Sequence, residues 1–244
     1  MTNLKPRIEF KHVAKEFFLQ DDKTFKELIP SLIAGKAWAK KHIVFNDLSF
    51  TVKTGESIGI VGDNGAGKST IMKLIAGVTY PTTGSIKAVG KIAPLIELGA
   101  GFHYELSGYE NIFLNAAILG MHKSEIDIVL QDIIDFSEIT EFLHTPIKRY
   151  STGMLMRLAF SIAIHAPADI YLIDEVLAVG DRKFQKKCLK RLKEFKNHKD
   201  KIIVFISHSQ KDVKEFCDRA ILLDNGKMVL DGTPADVFEK YNSL

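Results

Sequence analysis

The sequence predicts an α/β fold, a mixed β-sheet with a buried centre joined to an α-helical subdomain. Three observations carry that expectation. Ser57 to Val61 is almost wholly apolar, as a strand covered on both faces is. Two later apolar segments, Ile170 to Ile173 and Ile202 to Ile206, each follow a helix-like stretch, which is the β–α alternation of a parallel sheet. From Gly108 to Leu143 apolar residues recur at helical spacing, as in "ENIFLNAAILG" and "EIDIVLQDIIDF", with little strand character.

The remaining elements follow along the chain. Ile8 to Phe10 and Phe45 to Val52 alternate apolar and polar residues, as half-buried antiparallel strands do. The segment Leu19 to His42 sets Phe25, Leu28, Ile29, Leu32 and Ile33 at helical spacing among Lys23, Lys26, Lys36, Lys40 and Lys41. That basic amphipathic pattern suits a membrane surface, a partner helix or the protein's own sheet, and Pro30 limits any single helix. Gly77 ends the helix that follows the first buried strand. Near the end, "AILLDNGKMVLDG" is two short strands around Asn225-Gly226, a hairpin signal, and "GTPADVFEKYNSL" is a short helix capped near Thr233 with Pro234 in its first turn.

At 244 residues, 46% hydrophobic and 26% charged, the chain reads as one globular domain over residues 1–244. Cys188 and Cys217 have neither CxxC spacing nor a cluster of histidine partners, so no disulfide framework or structural zinc site is indicated and a reducing compartment fits. The N-terminus "MTNLKPRIEF" lacks the apolar core of a secretory signal, and no window approaches the roughly 18 apolar residues needed to span a bilayer. A cytoplasmic protein is expected, attached to a membrane only through a partner. The net charge of +3 is too small to indicate nucleic acid.

Between Val61 and Ile71 the chain reads "GDNGAGKST", and Gly62, Gly67, Lys68 and Ser69 match G-x-x-x-x-G-K-[ST] between a strand and a helix. Such glycines let backbone N–H groups turn toward phosphate oxygens, Lys68 supplies a point charge and the Ser69 hydroxyl can ligate magnesium. The candidate nucleotide loop is therefore Gly62, Asp63, Asn64, Gly65, Ala66, Gly67, Lys68, Ser69 and Thr70. The acidic partner is "DIYLIDEV": Asp174 would hold magnesium and Glu175 would polarise an attacking water.

"YSTGMLMRLAFSIAI" before that strand, "AVGD" after it and then "FISHS" complete an ordered set that resembles the nucleotide-binding subunit of an ATP-binding cassette (ABC) transporter over nearly the whole chain. The resemblance implies an ABC-type P-loop ATPase that uses ATP and Mg2+, with a helical subdomain at about 108–166. It implies that Ser151 and Gly153 contact the γ-phosphate of ATP held by the opposite subunit of a homodimer. Tyr150, Thr152 and Met154 depart from the family's LSGGQ. Asp181 matches the aspartate of the loop that crosses the dimer interface, and His208 matches the switch histidine that reads the γ-phosphate. Phe17, or alternatively Phe18, stands where the family stacks an aromatic on adenine. The family's glutamine before the helical subdomain is missing from "IAPLIELGAGFHYELSGYENI"; Glu97 or Leu98 falls there, and Glu97 is the residue able to engage magnesium or its waters.

Three contiguous pieces, "LIELGAGFHYELSGYENI", "YSTGM" and "IDEVLAVGD", resemble the ATPases that export O-antigen, capsule or teichoic acid. This implies two copies of the chain beneath two copies of a multispanning permease at the cytoplasmic face of the bacterial inner membrane, with a lipid-linked polysaccharide as cargo. Some similar exporters continue into a carbohydrate-binding β-sandwich. None follows "GTPADVFEKYNSL" here, so substrate choice is expected to lie in the permease. Two other readings compete. A small-solute importer is disfavoured by the missing glutamine, and a nucleic-acid-associated cassette is raised by "DRKFQKKCLKRLKEFKNHKDK". A solvated basic helix face is the commoner explanation of that run, and no nucleic-acid partner is expected.

Overall fold

A computed structural model of the chain describes residues 7–20, 39–95, 98–174, 181–197 and 199–244. Among these residues the strands fall into two sheets. Strands β1 (Arg7–Gln20), β2 (Ala39–Lys53) and β4 (Thr83–Val89) form an antiparallel sheet in the order β2-β1-β4. The other strands are β3 (Ser57–Val61), β5 (Ile92–Leu95), β6 (Ile170–Ile173), β7 (Ile202–Ile206), β8 (Arg219–Asp224) and β9 (Lys227–Gly232). They form a six-stranded sheet in the order β5-β6-β7-β3-β8-β9, parallel except for the β8–β9 hairpin. The mixed sheet is thus this second one.

The separation has a physical cause. In β1, Ile8 and Phe10 are buried while Arg7 and Lys11 are exposed, so one face of that strand stays in water. Strands β3, β6 and β7 are buried at every position, which demands cover on both sides. Alternate residues serve the two covers. Ile58, Ile60, Leu172, Val204 and Ile206 face the antiparallel sheet and the helix α1 (Lys68–Ile75), which is wedged between the sheets through Ile71, Met72, Leu74 and Ile75. Tyr171, Ile173, Ile203, Phe205 and Leu222 face the opposite way. Each large apolar side chain so buried contributes about 2 kcal/mol.

The remaining helices are α2 (Gly108–Ile118), α3 (Lys123–Ser137), α4 (Thr152–His165), α5 (Arg182–Lys196), α6 (Gln210–Phe216) and α7 (Pro234–Tyr241). Phe184, Cys188 and Leu192 of α5, Val213 and Phe216 of α6 and Val237 and Phe238 of α7 cover the second face of the six-stranded sheet. A third core joins Ile112 and Ala116 of α2, Ile126 and Ile133 of α3, and Leu158 and Ile162 of α4. Helix α4 belongs to both layers, since its Phe160, Ala163 and Ile164 pack on the sheet. The buried thiols of Cys188 and Cys217 are both free, and burial pushes each up to about 12.

Of the segment Leu19 to His42, residues 21–38 lie outside the described residues. At its ends β1 runs to Gln20 and β2 starts at Ala39, the two paired in antiparallel register with Phe18 opposite Lys41. Lys41 is a strand residue whose ammonium meets Glu16 at 2.9 Å. Among the described residues no helix is long and apolar enough to cross a membrane.

The segment leading into α2 is tied down by polar groups. Ser107 and Glu110 form a reciprocal cap, with the Ser107 N–H donating to Glu110 Oε2 at 2.8 Å and the Glu110 N–H to Ser107 Oγ at 3.2 Å. Asn111 is fully buried; its Nδ2 donates to the carbonyls of His103, Leu106 and Ser107, and its Oδ1 accepts from the His103 N–H at 2.8 Å. Asn115 Nδ2 donates to the Ala100 carbonyl at 2.8 Å. Asn111→Ala should therefore lower the unfolding free energy by about 3 kcal/mol, because buried backbone groups lose their partner. Ser107→Ala, at an exposed cap, should cost about 1 kcal/mol. Urea denaturation of the two variants measures the difference, and equal losses would mean that Asn111 does not hold the turn.

Candidate functional site

The phosphate-type loop occupies the gap between the end of β3 and the start of α1. Its geometry depends on Gly67, which caps α1 at φ +100°; a Cβ there would lie 2.5 Å from the Phe45 ring and 2.9 Å from Val44. Strand β2 thus presses directly on the loop, which only a residue without a side chain tolerates. Lys68 is buried, and its Nζ donates to the carbonyls of Gly62 at 2.6 Å and Asp63 at 2.9 Å. The lysine therefore holds the loop closed from inside.

A cleft of about 530 Å³ opens above the loop, lined by Phe17, His42, Val44, Asn64, Gly65, Gly67, Lys68, Ser69, Thr70, Asp174 and His208. Five parts of the chain meet here: the end of β1, the start of β2, the loop with α1, and the C-terminal ends of β6 and β7. In an open parallel sheet that end is where ligands bind. Gly62, Asp63 and Ala66 belong to the loop without lining the cleft. The Gly62 and Asp63 carbonyls hold Lys68, the Asp63 carboxylate turns toward α7, and Ala66 is buried between the sheets.

Phe17 and Phe18 separate by strand geometry. Successive side chains point to opposite faces, and Phe17 lines the cleft while Phe18, 65% exposed, does not. Lys15 Nζ lies 4.6 Å from the centroid of the Phe17 ring. His42, the register partner of Phe17, and Val44 complete the same wall; sequence reasoning missed both, because the pairing spans the long connection between β1 and β2. His208 is fixed between two serines: the Ser209 N–H donates to Ser207 Oγ at 3.0 Å, and Ser209 caps α6 by accepting from the Asp212 N–H. Glu175 and Glu97 lie outside the described residues.

Ser151, Gly153 and Asp181 do not line this cleft. Ser151 caps α4 by accepting from the Met154 N–H at 3.2 Å, and both Ser151 and Gly153 of the first turn are near solvent. Asp181 caps α5, accepting from the Phe184 and Lys183 N–H groups at 2.9 and 2.8 Å and from Arg157 Nη2 at 2.5 Å. The Phe184 amide foremost, then that of Lys183 and the Arg157 guanidinium, hold its carboxyl below the usual range. Arg157 also meets Glu138 at 3.1 Å and stacks over Phe184, so α4, the end of α3 and the start of α5 share one cation. Lys187 reaches Glu138 as well, at 3.0 Å. Farther along the basic run, Arg191 pairs with Glu194, Lys193 with Glu215 and Lys196 with Asp218.

Tyr150 explains one departure in "YSTGM". Its hydroxyl donates to the Phe142 carbonyl at 2.8 Å and sits where a Cβ on Gly108 would be, 2.2 Å away, while burial pushes it up to about 12. The tyrosine thus pins the start of α2 to the segment ahead of α4.

A family model described as ABC transporter matches residues 45–178. The chain is 43% identical over 242 residues to the O-antigen export system ATP-binding protein RfbB of Klebsiella pneumoniae, covering 98% of each. It is 41% identical over 239 residues to the teichoic acids export ATP-binding protein TagH of Listeria monocytogenes serotype 4b, covering 98% of this chain and 70% of that one. Among solved structures, the ATP binding subunit of an ABC transporter superposes with a TM-score of 0.74 at 23% identity, over 96% of this chain and 93% of the other, which establishes the shared fold.

The contact between Gly67 and Phe45 gives a direct test of the loop geometry. Gly67→Ala should destabilise the chain by about 3 kcal/mol, combining a left-handed backbone with an overlap that cannot relax. Gly65→Ala, whose Cβ would meet nothing within 4 Å, should cost about 1 kcal/mol through its backbone alone. Equal urea midpoints for the two variants would show that β2 does not constrain the loop.

Proposed function

This chain belongs to the ABC transporter family, and we propose that it is the ATP-hydrolysing subunit of a system exporting a lipid-linked cell-surface polysaccharide such as O-antigen, capsule or teichoic acid. The observation that carries the reading is the near-full-length identity to an O-antigen export ATP-binding protein, joined to a cleft in which Lys68, Ser69, Asp174 and His208 converge. Two copies of the chain would sit beneath two copies of a multispanning permease, peripheral at the cytoplasmic face of the membrane. The helical layer built on α2 to α4 would be the coupling subdomain.

ATP would enter with its base against Phe17 and its phosphates on the loop. Lys68 would exchange the Gly62 and Asp63 carbonyls for phosphate oxygens, and the backbone N–H groups at the start of α1, with its helix dipole, favour the same negative charge. The donor set suits magnesium held jointly by protein and substrate: Ser69 and Asp174 share the cleft, and no group of three or more His, Cys, Asp or Glu among the described residues could hold a metal alone. When bound, Mg2+ would neutralise charge on the terminal phosphates. Glu175 would orient the attacking water, and His208 would sense the γ-phosphate from its serine-braced loop. Glu97 is proposed as a further contact to magnesium or its waters.

The remaining site residues call for a second subunit. Ser151 and Gly153 at the exposed start of α4, with Asp181 nearby, would complete the phosphate site of the opposite copy across a two-fold interface. The Arg157–Asp181 ion pair supports this reading by holding the start of α5 against the second turn of α4.

Glu175→Gln should keep ATP bound while turnover falls by about a hundredfold or more; hydrolysis at the parent rate would remove Glu175 from the mechanism. Sedimentation of that variant should show a dimer with ATP and Mg2+ and a monomer without, and a monomer at saturating ATP would overturn the shared site. Phe17→Ala should weaken ATP binding about fivefold, the loss of one aromatic stack, with Phe18→Ala near parent affinity. Titration calorimetry separates them, and a larger effect at Phe18 would reverse the assignment.

A further inference from the structure

The last turn of α7 reaches back to the phosphate loop. The Tyr241 hydroxyl donates to Asp63 Oδ1 at 2.7 Å, across 178 residues of sequence. Asp63 is also the residue whose main-chain carbonyl accepts from Lys68 Nζ. One loop residue is therefore held at both ends, its carbonyl by the loop lysine and its carboxylate by the C-terminal helix.

The helix is firmly seated for such a task. Val237 and Phe238 are buried in the core under the six-stranded sheet, the Tyr241 ring packs edge-on against Phe238 at 6.1 Å, and Thr233 caps the first turn. The loop side is not packed in this way. Asp63 is exposed and overhangs a cleft of about 440 Å³ lined by Asp63, Leu223, Asp224, Asn225, Tyr241 and Leu244. A hydrogen bond, rather than apolar contact, sets where its carboxylate lies. The same bond keeps the Tyr241 hydroxyl protonated beyond the ordinary tyrosine range.

The electrostatic consequence concerns the neighbouring cleft. Asn64 and Gly65, the next two residues, line it, whereas Asp63 does not. Released from Tyr241, a carboxylate one residue from the cleft lining would be able to turn toward a bound triphosphate, and two anions repel at short range. We propose that Tyr241 is a positioning residue for the nucleotide loop: it holds the Asp63 charge away from the phosphates. The inference rests on the ATP-binding reading of the cleft. It ties nucleotide affinity to the seating of the C-terminal helix.

The test is a titration of the full chain with ATP and Mg2+. Tyr241→Phe, which keeps the ring on Phe238, should weaken ATP binding about fivefold, the scale of one hydrogen bond, while its urea midpoint stays near that of the parent. Raising the salt concentration should shrink the defect, since the repulsion is screened. Asp63→Asn placed in the Tyr241→Phe background should restore most of the affinity by removing the charge. Parent affinity in Tyr241→Phe, or a defect that neither salt nor Asp63→Asn relieves, would overturn the proposal and leave Tyr241 a packing residue. Absence of ATP binding by the parent chain would instead overturn the reading on which it rests.

Discussion

The whole arrangement depends on where α1 begins. Four of its eight residues, Ile71, Met72, Leu74 and Ile75, are clamped between two sheets, so the helix cannot slide or tilt without opening the apolar layer between them. Its N-terminus is thereby set against β2, and Gly67 has no room to move from the Phe45 ring. The loop before it must close a short gap between β3 and that fixed point, and the Lys68 ammonium satisfies the carbonyls that the closure turns inward. Precision in the cleft thus comes from the hydrophobic packing of α1 and β2 rather than from the polar groups that would touch a ligand.

The helical layer is attached to this frame by α4, whose two faces belong to different cores. Polar contacts then fix details that packing alone leaves loose. Asn111 and Asn115 hold the turn that enters the layer, Tyr150 joins its start to its end, and Arg157 of α4 binds the end of α3 and the start of α5 through Glu138 and Asp181. The aspartate and serine that begin α5 and α4 owe their positions to capping. The same side chains that terminate helices are those the family resemblance singles out, and capping alone would not distinguish them.

Much of this was legible in the sequence because local chemistry decided it. The unbroken apolar runs of β3, β6 and β7, the Asn225-Gly226 turn and the Thr233-Pro234 start of α7 each carry their own signal. The glycine loop and Asp174 were legible for the same reason. What was not legible depends on contacts between distant segments. The split into two sheets follows from charge on one face of β1, yet which strands pair cannot be read locally. His42 and Val44 join the cleft only through the β1–β2 register, and the departure at Tyr150 has no meaning until Gly108 is seen beneath it. The Asp63–Tyr241 contact links two residues that nothing in their local sequence relates.

Strands β3, β6 and β7 show no polar face, so hydrophobic patterning does not tell them which side is which. Sliding one of them by a single residue would exchange its contents between the two covers without exposing anything to water. Size separates the two covers in part: the aromatic Phe205 and Tyr171 lie on one side with Ile173 and Ile203, while Ile206, Val204 and Leu172 meet α1 and the antiparallel sheet. The two aromatic side chains therefore add a steric constraint on the alignment of this sheet that hydropathy does not contain. Swaps among them that preserve hydrophobicity are not neutral with respect to register, and through register they act on the strand ends where Asp174 and His208 emerge.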